Sequence, residues 1–217
     1  MGLRINDVAP NFTAETTAGT LTLHDWIGDG YAVLFSHPKD FTPICTTEFG
    51  AVARLTGEFA KRNTKVMGIS VDSVDDHQKW KKDIETFAGA PADFPIVDDS
   101  SLTVAKAFDM LPAEAYLPDG RTAADSATVR TVFIIGPDKK IRLTMTYPMV
   151  VGRNFGEILR ALDAVQLTDA HPAATPANWA VGQDIVVSPK LDDAKAQETF
   201  GDLDVKLPYL RFAKSPS

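Results

Sequence analysis

An α/β fold built on a mixed sheet is predicted by three observations. Short apolar runs rich in strand formers alternate with stretches of helical period, two later runs flank a tight turn, and a helix follows them. YAVLF at 31–35 is the first such run. A helical pattern fills about 46–62, and KVMGISVDS from Lys65 closes a β-α-β unit. SVDDHQKWKKDIETF reads as a second helix, with Ser73 or Asp72 placed to cap it. FPIV at 94–97 is a third strand, and SLTVAKAF a short helix. VRTVFIIG and IRLTMTYP are joined by GPDKK, where proline presets the turn and aspartate supports it, so they form an antiparallel hairpin. NFGEILRALDAVQL is the closing helix.

This order is that of a thioredoxin-like fold, a mixed central sheet flanked by helices. TDAHPAATPANW, with prolines and small residues, reads as a linker. Beyond it lie only DIVVS, a weak helical stretch and the strand-like YLRFA. The expected division is 1–168 for the main domain and 169–217 for a C-terminal arm too small to form its own core, which packs on the main domain or on a neighbour.

With 217 residues and 44% hydrophobic content, the chain can bury one good core. Its net charge of -7, without a Lys/Arg run, argues against nucleic acid. MGLRINDVAPNF lacks the apolar segment of a signal peptide, and no apolar run is long enough to span a bilayer, so the expectation is a cytoplasmic protein without membrane insertion. Its histidines, at 24, 37, 77 and 171, show no ligand spacing, and no metal or cofactor is expected.

The single cysteine sits in SHPKDFTPICTTEF. Thr42 followed by Pro43 is a good helix start, threonine as N-cap and proline at the first helical position. Cys45 then falls in the first turn, where unpaired N–H groups and the helix dipole stabilise the reactive thiolate. The plainer alternative is a small buried hydrophobe. Arg130 shares a strand face with Val132 and Ile134, so its guanidinium either turns out to water or is buried and needs an anion. His37, at the end of the first strand, is either a polar neighbour of the thiol or a structural histidine.

PKDFTPIC, together with FSHP, CTTE, SVDSVDDH, GPDKK and GRNFGEILR, resembles the one-cysteine, peroxiredoxin-6-like branch of the peroxiredoxins, over about residues 8–212. The resemblance implies that Cys45 is the peroxidatic cysteine and that Thr42 and Arg130 complete its site. It further implies that Pro38 shields the thiol, that His37 neighbours it, and that Glu48 and Arg153 form a supporting polar network. A homodimer is implied as well, and IRLTMTYP, as the far strand of its hairpin, is a candidate edge for it; a higher oligomer is possible within the family.

The reaction so implied is attack of a thiolate on hydrogen peroxide or an organic hydroperoxide, leaving a sulfenic acid. Lowering any thiol's pKa from about 8.5 to about 6 raises its thiolate fraction near neutrality little more than tenfold. A Brønsted coefficient of about 0.45 offsets roughly as much in nucleophilicity. Positioning of the peroxide must therefore supply most of the acceleration. Without a second cysteine, reduction needs an external thiol, glutathione or a thiol protein. The rival class is a non-enzymatic peroxide sensor or oligomeric holdase, which would be oxidised once and stop. Some members of the branch are credited with a serine-dependent phospholipase activity. His24 and Asp138 match its other positions, but Gly30 stands where the serine would be, so that activity is not expected.

Overall fold

The computed structural model describes residues 2–116 and 127–216. They form two compact units, residues 1–155 and 156–217.

In the first unit, β1 (Thr13–Thr16) and β2 (Gly19–Thr22) make a hairpin, followed by the short helix α1 (Leu23–Ile27). Then come β3 (Tyr31–Ser36), α2 (Pro43–Lys61), β4 (Thr64–Ser70), α3 (Val74–Ala88), β5 (Ile96–Asp98), α4 (Thr103–Ala107), β6 (Arg130–Ile135) and β7 (Ile141–Tyr147). One seven-stranded sheet runs β2-β1-β5-β4-β3-β6-β7. The inner strands β3, β4 and β5 are parallel, and the flanking pairs are antiparallel, which makes the sheet mixed as expected. Every residue of β6, and all of β3 but Tyr31, is buried. That explains why YAVLF and VFII are continuous apolar runs with no polar alternation: both faces of the central strands are covered. On one side Leu34, Met67, Ile69, Phe108 and Phe133 cluster with Ile135. Elsewhere in the unit, Phe35 meets Phe49, Phe94 and Phe155 with ring centroids 4.9, 6.1 and 5.6 Å away.

Helix α3 is capped by Ser73, whose hydroxyl accepts from the Asp76 N–H at 3.2 Å, and ends at Gly89 in the left-handed region. Asp72, the other candidate cap, instead accepts from Ser70 and from the Asp40 N–H. The far strand β7 pairs with no strand but β6 among the described residues; its first residue, Ile141, also bonds the backbone of Asn6 and Asp7, and the rest of the strand lies at a sheet edge.

The second unit holds most of α5 (Phe155–Ala170), then β8 (Ala173–Ala174), β9 (Ile185–Val187), α6 (Asp193–Phe200), β10 (Asp204–Leu207) and β11 (Leu210–Ala213). Its sheet runs β10-β11-β9-β8, and Asp192 caps α6 by accepting the Lys195 N–H. Ile185, Val187, Ala196 and Ala213 are buried together, with Leu167 of α5 packed against them. The segment thus has a small core, contrary to the sequence-based expectation. Its four buried residues all lie beyond 168, on β9, α6 and β11, while Leu167 comes from α5, on the other side of the expected division.

Candidate active site

Helix α2 begins where the sequence places it, with Thr42 extended at the N-cap and Pro43 first in the helix. The cap itself differs. The Thr42 hydroxyl makes no bond to the helix and instead donates back to the Lys39 carbonyl at 2.9 Å. The first-turn N–H groups of Ile44 and Cys45 are therefore left uncapped by it.

Cys45 is 0% exposed. Arg130, at the start of β6, is 3% exposed, so its guanidinium does not turn out to water. Nη1 of Arg130 donates to the Cys45 sulfur at 3.4 Å and to Glu48 Oε2 at 2.6 Å, while Nε donates to the Met149 carbonyl at 2.7 Å. These bonds fix the guanidinium from three directions. Glu48 lies on α2 one turn after Cys45, so both side chains leave the same face of the helix.

Arg153 completes the network from the segment before α5. Its Nε and backbone N–H donate to Glu48 Oε1 at 2.9 and 2.8 Å, and Nη2 donates to Oε2 at 2.7 Å. Nη1 reaches the carbonyls of Ser36 and Thr131 at 2.8 and 3.2 Å, and the guanidinium lies 5.0 Å from the Phe35 ring centroid. Burial pushes the Glu48 carboxyl up, but the Arg153 hydrogen bonds and charge, with the Arg130 charge, hold it below its ordinary value. Burial pulls Arg153 below its ordinary value in turn, with Glu48 opposing it. Two buried guanidinium groups share one carboxylate. One positive charge is left over, and the Cys45 sulfur lies where a negative charge would compensate it.

Pro38 is buried and lines a cavity of about 260 Å³ with Asp72, Ser73 and Ser100. His37 belongs to a second network. Its Nε2 lies 2.7 Å from Asp40 Oδ1, and its ring stacks on Trp80 with centroids 5.1 Å apart. Asp40 Oδ2 meets His77 Nδ1 at 2.6 Å, and His77 Nε2 meets the Val97 carbonyl at 3.1 Å. Burial lowers His37, the Asp40 hydrogen bond opposes this, and the net position is below the ordinary imidazole value. Burial raises Asp40, but its two imidazole partners bring it below the ordinary value. The polar atoms of His37, Asp40 and His77 lie within 4.8 Å of one another. Asp40 bonds one nitrogen of each imidazole, and the other nitrogen of His77 is held by the Val97 carbonyl. Asp40 and His77 were missed by sequence reasoning. They stand 37 positions apart, and only the parallel pairing of β3 with β4 brings α3 to the loop after β3.

His24 Nε2 bonds the Ala9 carbonyl at 2.8 Å, and Asp138 pairs with Arg142 at 3.0 Å. At Gly30 a Cβ would stand 2.6 Å from the Asn63 carbonyl oxygen, so any side chain there must displace backbone.

Comparison with known proteins gives two family matches, the AhpC/TSA family over residues 5–144 and the C-terminal domain of 1-Cys peroxiredoxin over 164–202. The mitochondrial peroxiredoxin PRX1 of Saccharomyces cerevisiae is 48% identical over 216 residues, 98% of this chain and 81% of that protein. A crystal structure of peroxiredoxin 6 of Arenicola marina superposes with a TM-score of 0.92 at 42% identity, covering 100% of both chains. A yeast mitochondrial 1-Cys peroxiredoxin, solved for its thiol resolving mechanism via glutathione/thioredoxin systems, has a TM-score of 0.88 at 46% identity, covering 98% of this chain and 100% of that one.

Proposed function

The chain belongs to the peroxiredoxins of the AhpC/TSA family, in the 1-Cys branch, and from that membership we propose a role for each residue of its site. The protein is a thiol-dependent peroxidase, and the chain offers one thiol, Cys45. Its sulfur attacks the nearer peroxide oxygen. The S–O bond forms as the O–O bond breaks, and the departing oxygen leaves as water or an alcohol once protonated. Arg130 and the Thr42 hydroxyl hold the peroxide in line, and the uncapped N–H groups of Ile44 and Cys45 receive charge growing on oxygen. Glu48 and Arg153 keep Arg130 in place, and Pro38 limits access of water. The observation that carries this reading is Arg130 Nη1 at 3.4 Å from a buried sulfur, with Glu48 fixing the guanidinium.

The sulfenic acid then condenses with an external thiol, forming a mixed disulfide and releasing water, and a second thiol frees Cys45. Glutathione or a thiol protein fills this role, a reading supported by the yeast 1-Cys relative. A reducing compartment such as the cytoplasm suits that cycle. The edge strand β7 supports a homodimer in which two copies pair along it, with the C-terminal segment beyond residue 168 as an arm toward the partner. The bonds made by His24 and Asp138 and the close backbone approach at Gly30 support peroxidase activity without serine-dependent lipid hydrolysis.

The test is titration with hydrogen peroxide, followed by glutathione and a thioredoxin system in turn, with Cys45→Ser as control. One thiol per chain should be lost rapidly per equivalent of peroxide, and one reductant should sustain many turnovers. Oxidation at the rate of a free cysteine, or a single oxidation that no thiol reverses, would sink the assignment.

A further inference from the structure

The His37, Asp40 and His77 network takes no part in the reaction as described, yet it grips the segment that delivers Thr42. Asp40 sits midway between β3 and α2, and its side chain is 1% exposed. It is held on three sides: by His37 at the end of β3, by His77 of α3, and through its N–H by Asp72 Oδ2 at 2.8 Å. The next residue, Phe41, has a φ of +55°, a conformation that a bulky side chain keeps only when its surroundings impose it. The Thr42 hydroxyl then turns back onto the Lys39 carbonyl.

Hydrogen-bond chemistry assigns the protons. The Val97 carbonyl can only accept, so His77 Nε2 carries a hydrogen. An ionised Asp40 can only accept, so His77 Nδ1 and His37 Nε2 carry hydrogens as well. His37 Nδ1 has no hydrogen-bond partner. The charged group facing this cluster from the β4–α3 connection is Asp72; Phe49 of α2 and Trp80 of α3 close it with aromatic rings.

We propose that Asp40, anchored on α3 by His77, is a positioning residue of the peroxide site: it locks the loop from His37 to Phe41 and so sets the Thr42 hydroxyl relative to the Cys45 sulfur. The proposal rests on the roles given above to Cys45 and Thr42. A carboxylate is required because it alone accepts from both imidazoles at once. In Asp40→Asn one amide oxygen remains to accept, and the NH2 group is accommodated only if His37 moves its hydrogen to the unpartnered Nδ1, which replaces a bond to a carboxylate by a weaker neutral one. His77→Gln keeps a donor for Asp40 but cannot also reach Val97.

The experiment compares two reactions of the same sulfur in the full-length chain, reduction of hydrogen peroxide and alkylation by iodoacetamide, which needs no peroxide alignment. In Asp40→Asn the ratio of peroxide rate to alkylation rate should fall at least about tenfold, equivalent to about 1.4 kcal/mol. His77→Gln should lower that ratio by a smaller factor, above about threefold, and decides the matter alone if Asp40→Asn does not fold. Slowly exchanging imidazole N–H signals of His37 and His77 should appear in NMR spectra of the unaltered protein. Smaller changes in the ratio, both rates falling together, or absence of those signals would overturn the proposal. Slow peroxide oxidation of the unaltered protein would refute the reading of Cys45 itself, a separate outcome.

Discussion

Replacing Glu48 by glutamine separates charge from geometry at the sulfur, because the two predict opposite changes. In the native site Glu48 accepts four hydrogen bonds, one from Arg130 and three from Arg153, at 2.6–2.9 Å. Glutamine retains one acceptor oxygen and turns an NH2 group toward a guanidinium. Breaking a buried ion pair outright costs about 3–5 kcal/mol, and with one acceptor kept the stability loss should be about 2–3 kcal/mol. The local charge also becomes one unit more positive. If charge alone activated the thiol, both alkylation and peroxide reduction would speed up. If Arg130 acts by its placement, alkylation should hold or rise while peroxide reduction slows at least about tenfold, since about 1.4 kcal/mol lost from an aligned donor suffices. Stopped-flow oxidation beside iodoacetamide alkylation distinguishes the two, and parallel acceleration would refute the positional argument. A pH signature accompanies it. The folded Glu48 lies below its ordinary value of 4.5, so its contribution to stability is complete above the unfolded value and is lost as pH falls through the folded one. Acid unfolding of Glu48→Gln should accordingly be shallower than that of the native chain below about pH 4.5.

Arg130→Ala and Thr42→Val should each lower the second-order rate with peroxide at least about a hundredfold, about 2.7 kcal/mol of transition-state stabilisation, by stopped flow; a fall matched by the alkylation rate would count against alignment. Light scattering at micromolar concentration should report a dimer, and a charged residue introduced at Met145 on the β7 edge should weaken it, whereas monomer throughout would remove β7 as an interface. Gly30→Ser should lower the melting midpoint, since its Cβ meets the Asn63 carbonyl at 2.6 Å, and should not confer hydrolysis of phospholipid vesicles at mildly acidic pH. Hydrolysis lost again on His24→Ala would show that reading to be wrong.

The elements legible in the sequence are those whose burial is two-sided or whose ends carry caps. YAVLF, VRTVFIIG and the Ser73-capped helix were readable for those reasons. The β1–β2 hairpin was not, because TAET and GTLT are four residues each and carry a single large apolar side chain, Leu21, and their turn at Gly19, φ +92°, has no proline or asparagine to mark it. In the site, Cys45 and Thr42 could be placed on a helix start from local spacing alone. That Arg130 meets Cys45 could not, since the contact spans 85 positions and comes from β6 pairing beside β3. The resemblance supplied that link. It supplied nothing for Asp40 and His77, whose meeting depends on strand pairing.

The full burial of the Cys45 sulfur makes the site a size filter on its own repair. A peroxide of a few atoms can reach the sulfur from solvent through small fluctuations of the surrounding side chains. A protein thiol arrives on a surface too broad to follow, and the surroundings of the sulfur, among them the first turn of α2 held by the Thr46 N–H bond to the Thr42 carbonyl, stand in its way. A tripeptide-sized thiol needs far less opening. Reduction rates measured with thiols of increasing bulk should therefore fall as the thiol grows, and equal rates for small and large thiols would show that burial sets no such filter.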